Sequence, residues 1–449
     1  MASERSPEAA RFEKYVGQLA LAVGHADRRE PLRAYLTGLL LPGERKSVEP
    51  MAAKWDPLHV RARHQSLHHF VAAAPWSELD VLDVAREYGL AALERHGPIA
   101  AWVVDDTAMP KKGSHSVGVA HQYCGVLGKS ANCQVAVTVS LVNATMSVPA
   151  AFRLYLPESW TQDAERLEDG GVPAEVAFQT KPAIALAEID RLLADEIPLA
   201  PVVADSGYGS STAFRDGLTA RRLSYAVAIL PDTSVWRSGQ EPLPPSPRQG
   251  RGRPSTRLRR TPEHQPLAVQ ALAHELPRAA WKTVRWREGT RGMMVSRFAM
   301  VRVRPAHRDY LRRESRDAEW LLMEWPAGDK EPTRYWFSTV PEDVEIEELV
   351  RLAKIRWRIE RDFQELKDEL GLDHYEGRGW RGFHHHGVLC IAAYVFLAAE
   401  RARLSPPAPI AFLSAARLPQ RLPASGISGV LSATTPLQLP RCDGATPTF

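Results

Sequence analysis

Two aspartates each follow a short apolar run that reads as a buried strand. Asp106 comes just after Ile99 to Val104, and Asp205 comes directly after Pro201 to Ala204. Strand ends present reactive groups at an accessible edge of a sheet, where two carboxylates could share divalent metal ions. Such an oxygen-rich site suits Mg²⁺ or Mn²⁺, and paired ions would activate a nucleophile and stabilise the leaving oxygen of a phosphodiester. Each aspartate could equally cap the turn that follows it.

A third charged group lies on a predicted helix. The segment from Val344 to Leu370 has apolar residues three or four positions apart, which predicts one long amphipathic helix. On that helix Arg356, Glu360 and Lys367 fall within roughly 40° of one another and form a polar ridge beside the apolar stripe. Glu360 could therefore lean towards a neighbouring sheet edge. An exposed Arg-Glu pair four residues apart is an equally good interpretation.

The elements that would position these groups predict a mixed α/β fold. Residues 1–97 show amphipathic helical patterns without a clear strand signal. Four short β-rich runs follow between Ile99 and Leu156, and then helix and strand alternate as far as Leu230. Strand-like runs rich in Trp and Arg occupy 281–339, ahead of the predicted long helix. We expect a mixed sheet core interrupted by a β-rich insertion.

A basic segment precedes that insertion. Six arginines and no carboxylate lie between Pro242 and Pro262. Within it, Arg251-Gly252-Arg253-Pro254 resembles the core of an AT-hook, in which extended Arg-Gly-Arg-Pro lies in the narrow minor groove of A·T-rich DNA. The segment predicts either minor-groove contact through Arg251 and Arg253 or a solvated loop.

Composition and cysteine spacing exclude several classes of protein. The chain has 449 residues, of which 44% are hydrophobic and 24% charged, with a net charge of +4, so we expect a folded protein of several domains. Its four cysteines are scattered without a C-x-x-C pair, which argues against a disulfide framework or a structural zinc site. The longest nearly apolar run, Val388 to Ala399, is shorter than the roughly 18 residues that span a bilayer. We expect a cytoplasmic protein without a membrane segment.

Three consecutive histidines, His384 to His386, stand directly before that apolar run. Consecutive residues of a helix point in different directions, so the three rings cannot all face one metal ion. A position at the start of a helix or facing a phosphate is the favoured interpretation.

Several segments, in their order along the chain, carry a family resemblance over about residues 30–400. They are Val104-Asp105-Asp106-Thr107, Lys111-Lys112-Gly113, Leu154-Tyr155-Leu156-Pro157-Glu158-Ser159-Trp160, Ala204-Asp205-Ser206-Gly207-Tyr208-Gly209, Ile355-Arg356-Trp357-Arg358-Ile359-Glu360 with Leu366-Lys367, and Gly371-Leu372-Asp373-His374-Tyr375-Glu376-Gly377-Arg378. Together they resemble bacterial insertion-sequence transposases of the DDE superfamily.

The resemblance implies an RNase H-like core that cuts the ends of a mobile DNA element and joins the freed 3′-hydroxyls to target DNA. Asp106, Asp205 and Glu360 match the family triad that holds two Mg²⁺ (or Mn²⁺) ions. Asp105 competes for the first position, but the family aspartate directly precedes Thr, which favours Asp106. Only one of two adjacent strand residues can face the ions, because their side chains point to opposite faces.

The family's helix signature is only partly matched. Arg356 and Lys367 occupy its basic positions and are expected to bind DNA, whereas Ala353 stands at its Tyr position, so any base or phosphate contact of that Tyr is in doubt. Base stacking by an insertion tryptophan is a further expectation. A core position is the commoner role for the five candidates, Trp281, Trp286, Trp320, Trp325 and Trp336.

We therefore expect five segments. They are a helical DNA-binding or assembly domain (1–97), the first part of the RNase H-like core (98–232), a basic linker with the β-rich insertion (233–340), the C-terminal helical part of the core (341–403) and a Pro-rich tail (404–449). The expected partners are double-stranded DNA, as terminal inverted repeats and target, and a second copy of the chain. A silent DNA-binding descendant of a transposase and a metal-dependent nuclease without strand transfer are the alternatives.

Overall fold

The computed structural model describes residues 6–246, 256–290 and 292–404. Arg251 and Arg253 of the basic segment lie outside the described residues, as does the predicted Pro-rich tail beyond Leu404.

Five helices form the N-terminal part of the protein. They are α1 (Pro7–Ala22), α2 (Arg29–Leu40), α3 (Val48–Trp55), α4 (Val60–Ala72) and α5 (Glu78–Glu94). Ser6 begins α1, because its hydroxyl accepts a hydrogen bond from the Ala9 N–H and Pro7 follows in the first turn. The buried face of α1 includes Tyr15, whose hydroxyl donates to the Ala392 carbonyl near the C-terminus of the described chain. The N-terminal helices thus pack against the last helix.

Six strands build the predicted RNase H-like core. The first four, β1 (Ala101–Pro110), β2 (Ala120–Cys124), β3 (Lys129–Val142) and β4 (Ser147–Leu154), are antiparallel, with β3 paired to the other three. After α6 (Glu158–Thr161), α7 (Ala164–Asp169) and α8 (Lys181–Ala194), the short buried strand β5 (Val202–Ala204) pairs parallel to β1. Helices α9 (Ser206–Gly209) and α10 (Thr212–Ala220) then lead to β6 (Tyr225–Ile229), which is parallel to β5. The predicted mixed α/β fold is confirmed.

The β-rich insertion extends this sheet. It contains β7 (Ser234–Trp236), β8 (Leu267–Ala268), α11 (Val269–Glu275), β9 (Lys282–Gly289), β10 (Gly292–Pro305), β11 (Glu319–Trp325) and β12 (Arg334–Ser338). Strand β12 pairs antiparallel with β6, and β11 and β10 follow in order, so the described strands of the core and the insertion belong to one sheet. The insertion is therefore fixed to the core by backbone hydrogen bonds.

The prediction of one long helix between Val344 and Leu370 is wrong. The structure has α12 (Ile346–Lys354) and α13 (Trp357–Asp368), separated at Ile355 and Arg356, before α14 (Trp380–Leu404). The end of α12 and the start of α13 form ion pairs with different strands. The Lys354 ammonium pairs with Glu324 of β11, whereas the Arg356 guanidinium pairs with Asp105 of β1. The apolar spacing continues across the break, so periodicity does not reveal it.

The three histidines are also placed differently from the prediction, because all three are buried in the second turn of α14 and none is exposed on the protein surface. His384 donates to the Trp380 carbonyl through Nδ1 and accepts from the Leu154 N–H through Nε2. His385 contacts the carbonyls of Val71 and Trp76, and His386 lies between the Tyr35 hydroxyl and the Gly371 carbonyl. Successive rings point about 100° apart around a helix, so each connects α14 to a different neighbour.

Acidification should destabilise the protein through these rings. Burial lowers the pKa of His386 to about 4, below its usual 6.5, so the unfolded chain binds the proton first as the pH falls. The contribution of the neutral His386 ring to the unfolding free energy is fully present above about pH 6.5 and is lost as the pH falls towards 4. Between pH 7.5 and 5.0, wild type should lose about 2 kcal/mol more of unfolding free energy than His386→Gln, measured by urea denaturation. The matched control is His25→Gln, at an exposed ring, which should lose as much as wild type; equal losses in all three proteins would contradict the prediction.

Among the described residues, no helix combines the length and the apolar character that a membrane span needs.

Candidate functional site

The register of two parallel strands brings two aspartates side by side. In the β1–β5 pair, Val104 is opposite Ala204. The residues that follow them in sequence are Asp105 and Asp205. Residues at the same register of neighbouring strands point to the same face of a sheet. Asp105, and not its neighbour Asp106, therefore shares a face with Asp205.

Asp205 combines the two roles that its sequence position allowed. Its Oδ1 accepts hydrogen bonds from the N–H groups of Gly207 at 2.9 Å and Tyr208 at 3.3 Å, which caps the short helix α9. Its Oδ2 lies 3.8 Å from Nη1 of Arg356. Capping thus fixes the carboxylate while one oxygen remains directed towards the arginine.

The Arg356 guanidinium gathers three carboxylates from three elements. Its Nη1 donates to Oδ2 of Asp105 at 2.7 Å and lies near Asp205, and its Nη2 donates to Oε1 of Glu360 at 2.9 Å. The strand β1, the end of β5 and the first turn of α13 are therefore joined at one cation. The predicted pair of Arg356 and Glu360 is present, and it faces the sheet.

Asp106 lies apart from this group. Its carboxylate accepts a hydrogen bond from Nζ of Lys181 at 2.6 Å and another from the Tyr208 hydroxyl. Lys181 is the first residue of α8, and Tyr208 belongs to α9. Of the three carboxylates predicted for the site, the structure brings Asp205 and Glu360 to Arg356 together with Asp105. Sequence reasoning missed Lys181 and Tyr208, since no local pattern relates either to β1.

The four carboxylates, Arg356 and Lys181 line one cleft, with a volume of about 620 Å³. Lys367 lies in its wall, one turn beyond Phe363 on α13, and burial lowers the pKa of its ammonium. Burial also raises the pKa of the Asp105 carboxyl to about 7; the Arg356 cation opposes this rise and the Asp205 carboxylate adds to it. The predicted polar ridge of α13 thus forms one side of the cleft.

The donor chemistry of the cleft suits a hard divalent cation. Among the residues that the structure describes, no three His, Cys, Asp or Glu side chains are grouped as they would be around a metal ion. The cation between Asp105, Asp205 and Glu360 is instead the guanidinium of Arg356. Three carboxylates that converge on one positive charge are the oxygen ligands that Mg²⁺ and Mn²⁺ prefer. Asp105, Asp205 and Glu360 thus supply donors of the type that such an ion binds, here grouped around the guanidinium.

The insertion contacts the start of α13 through a tryptophan that sequence reasoning did not select. The Arg287 guanidinium of β9 lies 4.3 Å from the ring centroid of Trp357, the first residue of α13. The five selected tryptophans are buried or half-buried and pack within the insertion or against the segment that follows it. Trp336, for example, is buried and contacts Lys354, and Trp286 packs edge-on against Phe298. Their positions agree with the core alternative.

Gly209 should be essential for the placement of Asp205. A Cβ atom at residue 209 would lie 1.9 Å from the Ala228 carbonyl oxygen, so α9 could not keep its contact with β6. Gly209→Ala should therefore lower the unfolding free energy by about 1–3 kcal/mol, measured by urea denaturation. The control is Gly17→Ala in α1, where nothing lies within 4 Å and the helix should gain up to about 1 kcal/mol. Equal stability of the two variants would argue against this packing constraint.

Two comparisons with known proteins bear on the site. The family model described as DDE superfamily endonuclease matches residues 18–293, a range that includes Asp105, Asp106 and Asp205 but ends before Glu360. A protein of Microchaete diplosiphon described as "Probable transposase for insertion sequence element IS701" is 37% identical over 166 residues. That alignment covers 37% of this chain and 40% of the relative's length.

Proposed function

Because this chain belongs to the DDE superfamily of endonucleases, we propose that it is a transposase that cuts the ends of a mobile DNA element and joins them to target DNA. The observation that carries the proposal is the convergence of Asp105, Asp205 and Glu360 on one cation. The similarity to the insertion-sequence relative supports a transposition reaction over DNA degradation alone.

We propose that Asp105, Asp205 and Glu360 would hold Mg²⁺ or Mn²⁺, with two ions per site as in the family. When bound, the ions would activate the attacking oxygen and stabilise the leaving oxygen of the phosphodiester. The strand register and the Arg356 contacts support Asp105 as the first ligand. Asp106 remains the alternative, favoured by the family pattern before Thr107, and it would have to release Lys181 and Tyr208.

The basic residues of the cleft are proposed to bind the DNA backbone. Arg356 would exchange its carboxylate partners for a phosphate, with which a guanidinium forms paired charge-assisted hydrogen bonds. Lys367, in the cleft wall, would add a second positive charge. Arg251 and Arg253 remain proposed minor-groove contacts. The family's Tyr position offers no aromatic contact, because it holds Ala353, whose methyl group is buried in α12.

The proposed reaction also implies an assembly, DNA partners and a location for the protein. Two element ends must be cut and joined together, so we propose a homodimer or a larger assembly acting on terminal inverted repeats and target DNA. The DNA substrate implies a cytoplasmic protein that associates with the nucleoid.

The experiment is a Mg²⁺-dependent cleavage and joining assay on DNA that carries the ends flanking the gene. Glu360→Gln keeps the size of the side chain but removes a charge, so cleavage should fall on the order of 10²–10³-fold while DNA affinity stays close to wild type. The matched control is Glu369→Gln, an exposed glutamate just beyond α13 that does not line the cleft, and it should cut like wild type.

The two alternatives predict different results. A silent DNA-binding descendant would bind the ends without cutting, in wild type and both variants. A nuclease would cut in a manner that depends on Glu360 but would form no joined product. Cleavage by Glu360→Gln at the wild-type rate would remove Glu360 from the site.

A further inference from the structure

An exposed apolar cluster forms the tip of the β2–β3 hairpin. Tyr123, Val126 and Leu127 expose 65%, 58% and 46% of their surface, and we refer to these three residues as the apolar tip. The turn is compact, because residues Gly125–Leu127 form a single 3₁₀ turn and Gly128 adopts a left-handed conformation with φ +61°. The ordered turn thus holds the apolar side chains outward into water. This exposure is unfavourable, and a binding partner that covers the side chains would remove it.

The apolar tip lies at the catalytic cleft. Tyr123, Gly125 and Val126 line the same cleft as Asp105 and Glu360. The cleft floor is hard to reach, since Asp105 exposes only 15% of its side chain. Tyr123 and Val126 are therefore placed to contact nucleotides that flank a phosphodiester bound in this cleft.

Charge within the hairpin itself does not oppose a polyanion. The segment 120–132, which forms β2, the turn and the start of β3, contains exposed Lys129 but no Asp or Glu. The hairpin therefore presents apolar side chains and one exposed lysine, with no carboxylate of its own. That combination matches DNA, whose bases are apolar on their faces while its backbone is anionic.

We infer that the apolar tip holds the bases next to the phosphodiester that enters the cleft. The Tyr123 ring stacks on one base, and Val126 and Leu127 pack against its unstacked neighbour. Aromatic rings bind base faces without sequence preference, and apolar side chains at a base step unstack the duplex. The inference rests on the proposed DNA cleavage function and adds a base-holding element outside the carboxylates and the insertion.

The test uses the uncut complex. In the Glu360→Gln protein, DNA carrying 2-aminopurine at successive positions around the element end should show a fluorescence increase at one or two positions on binding, because unstacking relieves quenching. Adding Tyr123→Ala should abolish that increase and weaken binding by about tenfold, whereas Tyr123→Phe keeps the ring and should retain both. The matched control is Leu58→Ala, which removes an 88% exposed side chain ahead of α4 and should change neither.

The possible outcomes separate the inference from the proposed function. An unchanged fluorescence profile and affinity in Tyr123→Ala would overturn the inference while leaving the Glu360 result intact. A Tyr123→Ala protein that changes its oligomeric state in size-exclusion chromatography but not its DNA complex would also overturn it, since the tip would then bind a second copy. Absence of cleavage by wild type would instead contradict the proposed function. Because Tyr123 is exposed, unaltered thermal unfolding of the variant should confirm that its fold is intact.

Discussion

Asp105→Asn should reduce Mg²⁺-dependent cleavage of element ends on the order of 10²–10³-fold, whereas Asp106→Asn should reduce it less than about tenfold. The reason is the β1–β5 register, which sets Asp105 beside Asp205 and within 2.7 Å of the Arg356 guanidinium. Asp106 already has two partners, Lys181 and Tyr208. Loss of its charge would weaken an ion pair at the rim of the cleft without removing an oxygen from the convergent group.

The measurement is single-turnover cleavage by both variants at equal occupancy of the DNA. Both should bind the element ends with nearly wild-type affinity, since each substitution changes one carboxyl to an amide of the same size. The reverse order of effects would identify Asp106 as the first ligand and would require Lys181 and Tyr208 to move when metal binds. Equal and small effects would remove both aspartates from the reaction.

Arg356→Gln should bind divalent metal more tightly than wild type and yet cut DNA less well. In the metal-free protein the guanidinium neutralises Asp105 and Glu360, so an entering cation must displace it. Removing this competitor should raise the Mg²⁺ or Mn²⁺ affinity by about tenfold, equal to about 1.4 kcal/mol. Cleavage should fall on the order of 10²-fold, because the variant lacks the cation proposed to hold the phosphate.

Isothermal titration with Mn²⁺ and the metal-induced rise in melting temperature measure the first effect, and the DNA cleavage assay measures the second. The matched control is Arg361→Gln, an exposed arginine of α13 that pairs with Glu365 outside the cleft, which should change neither quantity. Metal affinity equal to or below that of wild type would contradict the view that Arg356 takes the place of the ion.

The sequence was sufficient to predict most of the strands and helices near the site and the types of side chain that line it. The strands on either side of Asp205 and the four long strands of the insertion lie close to their predicted positions, and the residues of α12 and α13 were predicted as helical, although as one continuous helix. Their side chains alternate or repeat according to which face is buried, and this local pattern survives in any tertiary arrangement. The carboxylates and cations of the cleft could likewise be selected by type and by resemblance.

The tertiary structure decided how those groups meet. The choice between Asp105 and Asp106 depends on the register of β1 against β5, two segments about a hundred residues apart, and neither strand encodes that register in its own apolar pattern. The break before α13 lies between Lys354 and Trp357, where Lys354 and Arg356 form ion pairs with distant strands that periodicity does not report. The buried histidines of α14 obtain their partners from the N-terminal helices, β4 and a loop. Local patterns determine which face of an element is buried, whereas contacts between distant segments determine what that face meets.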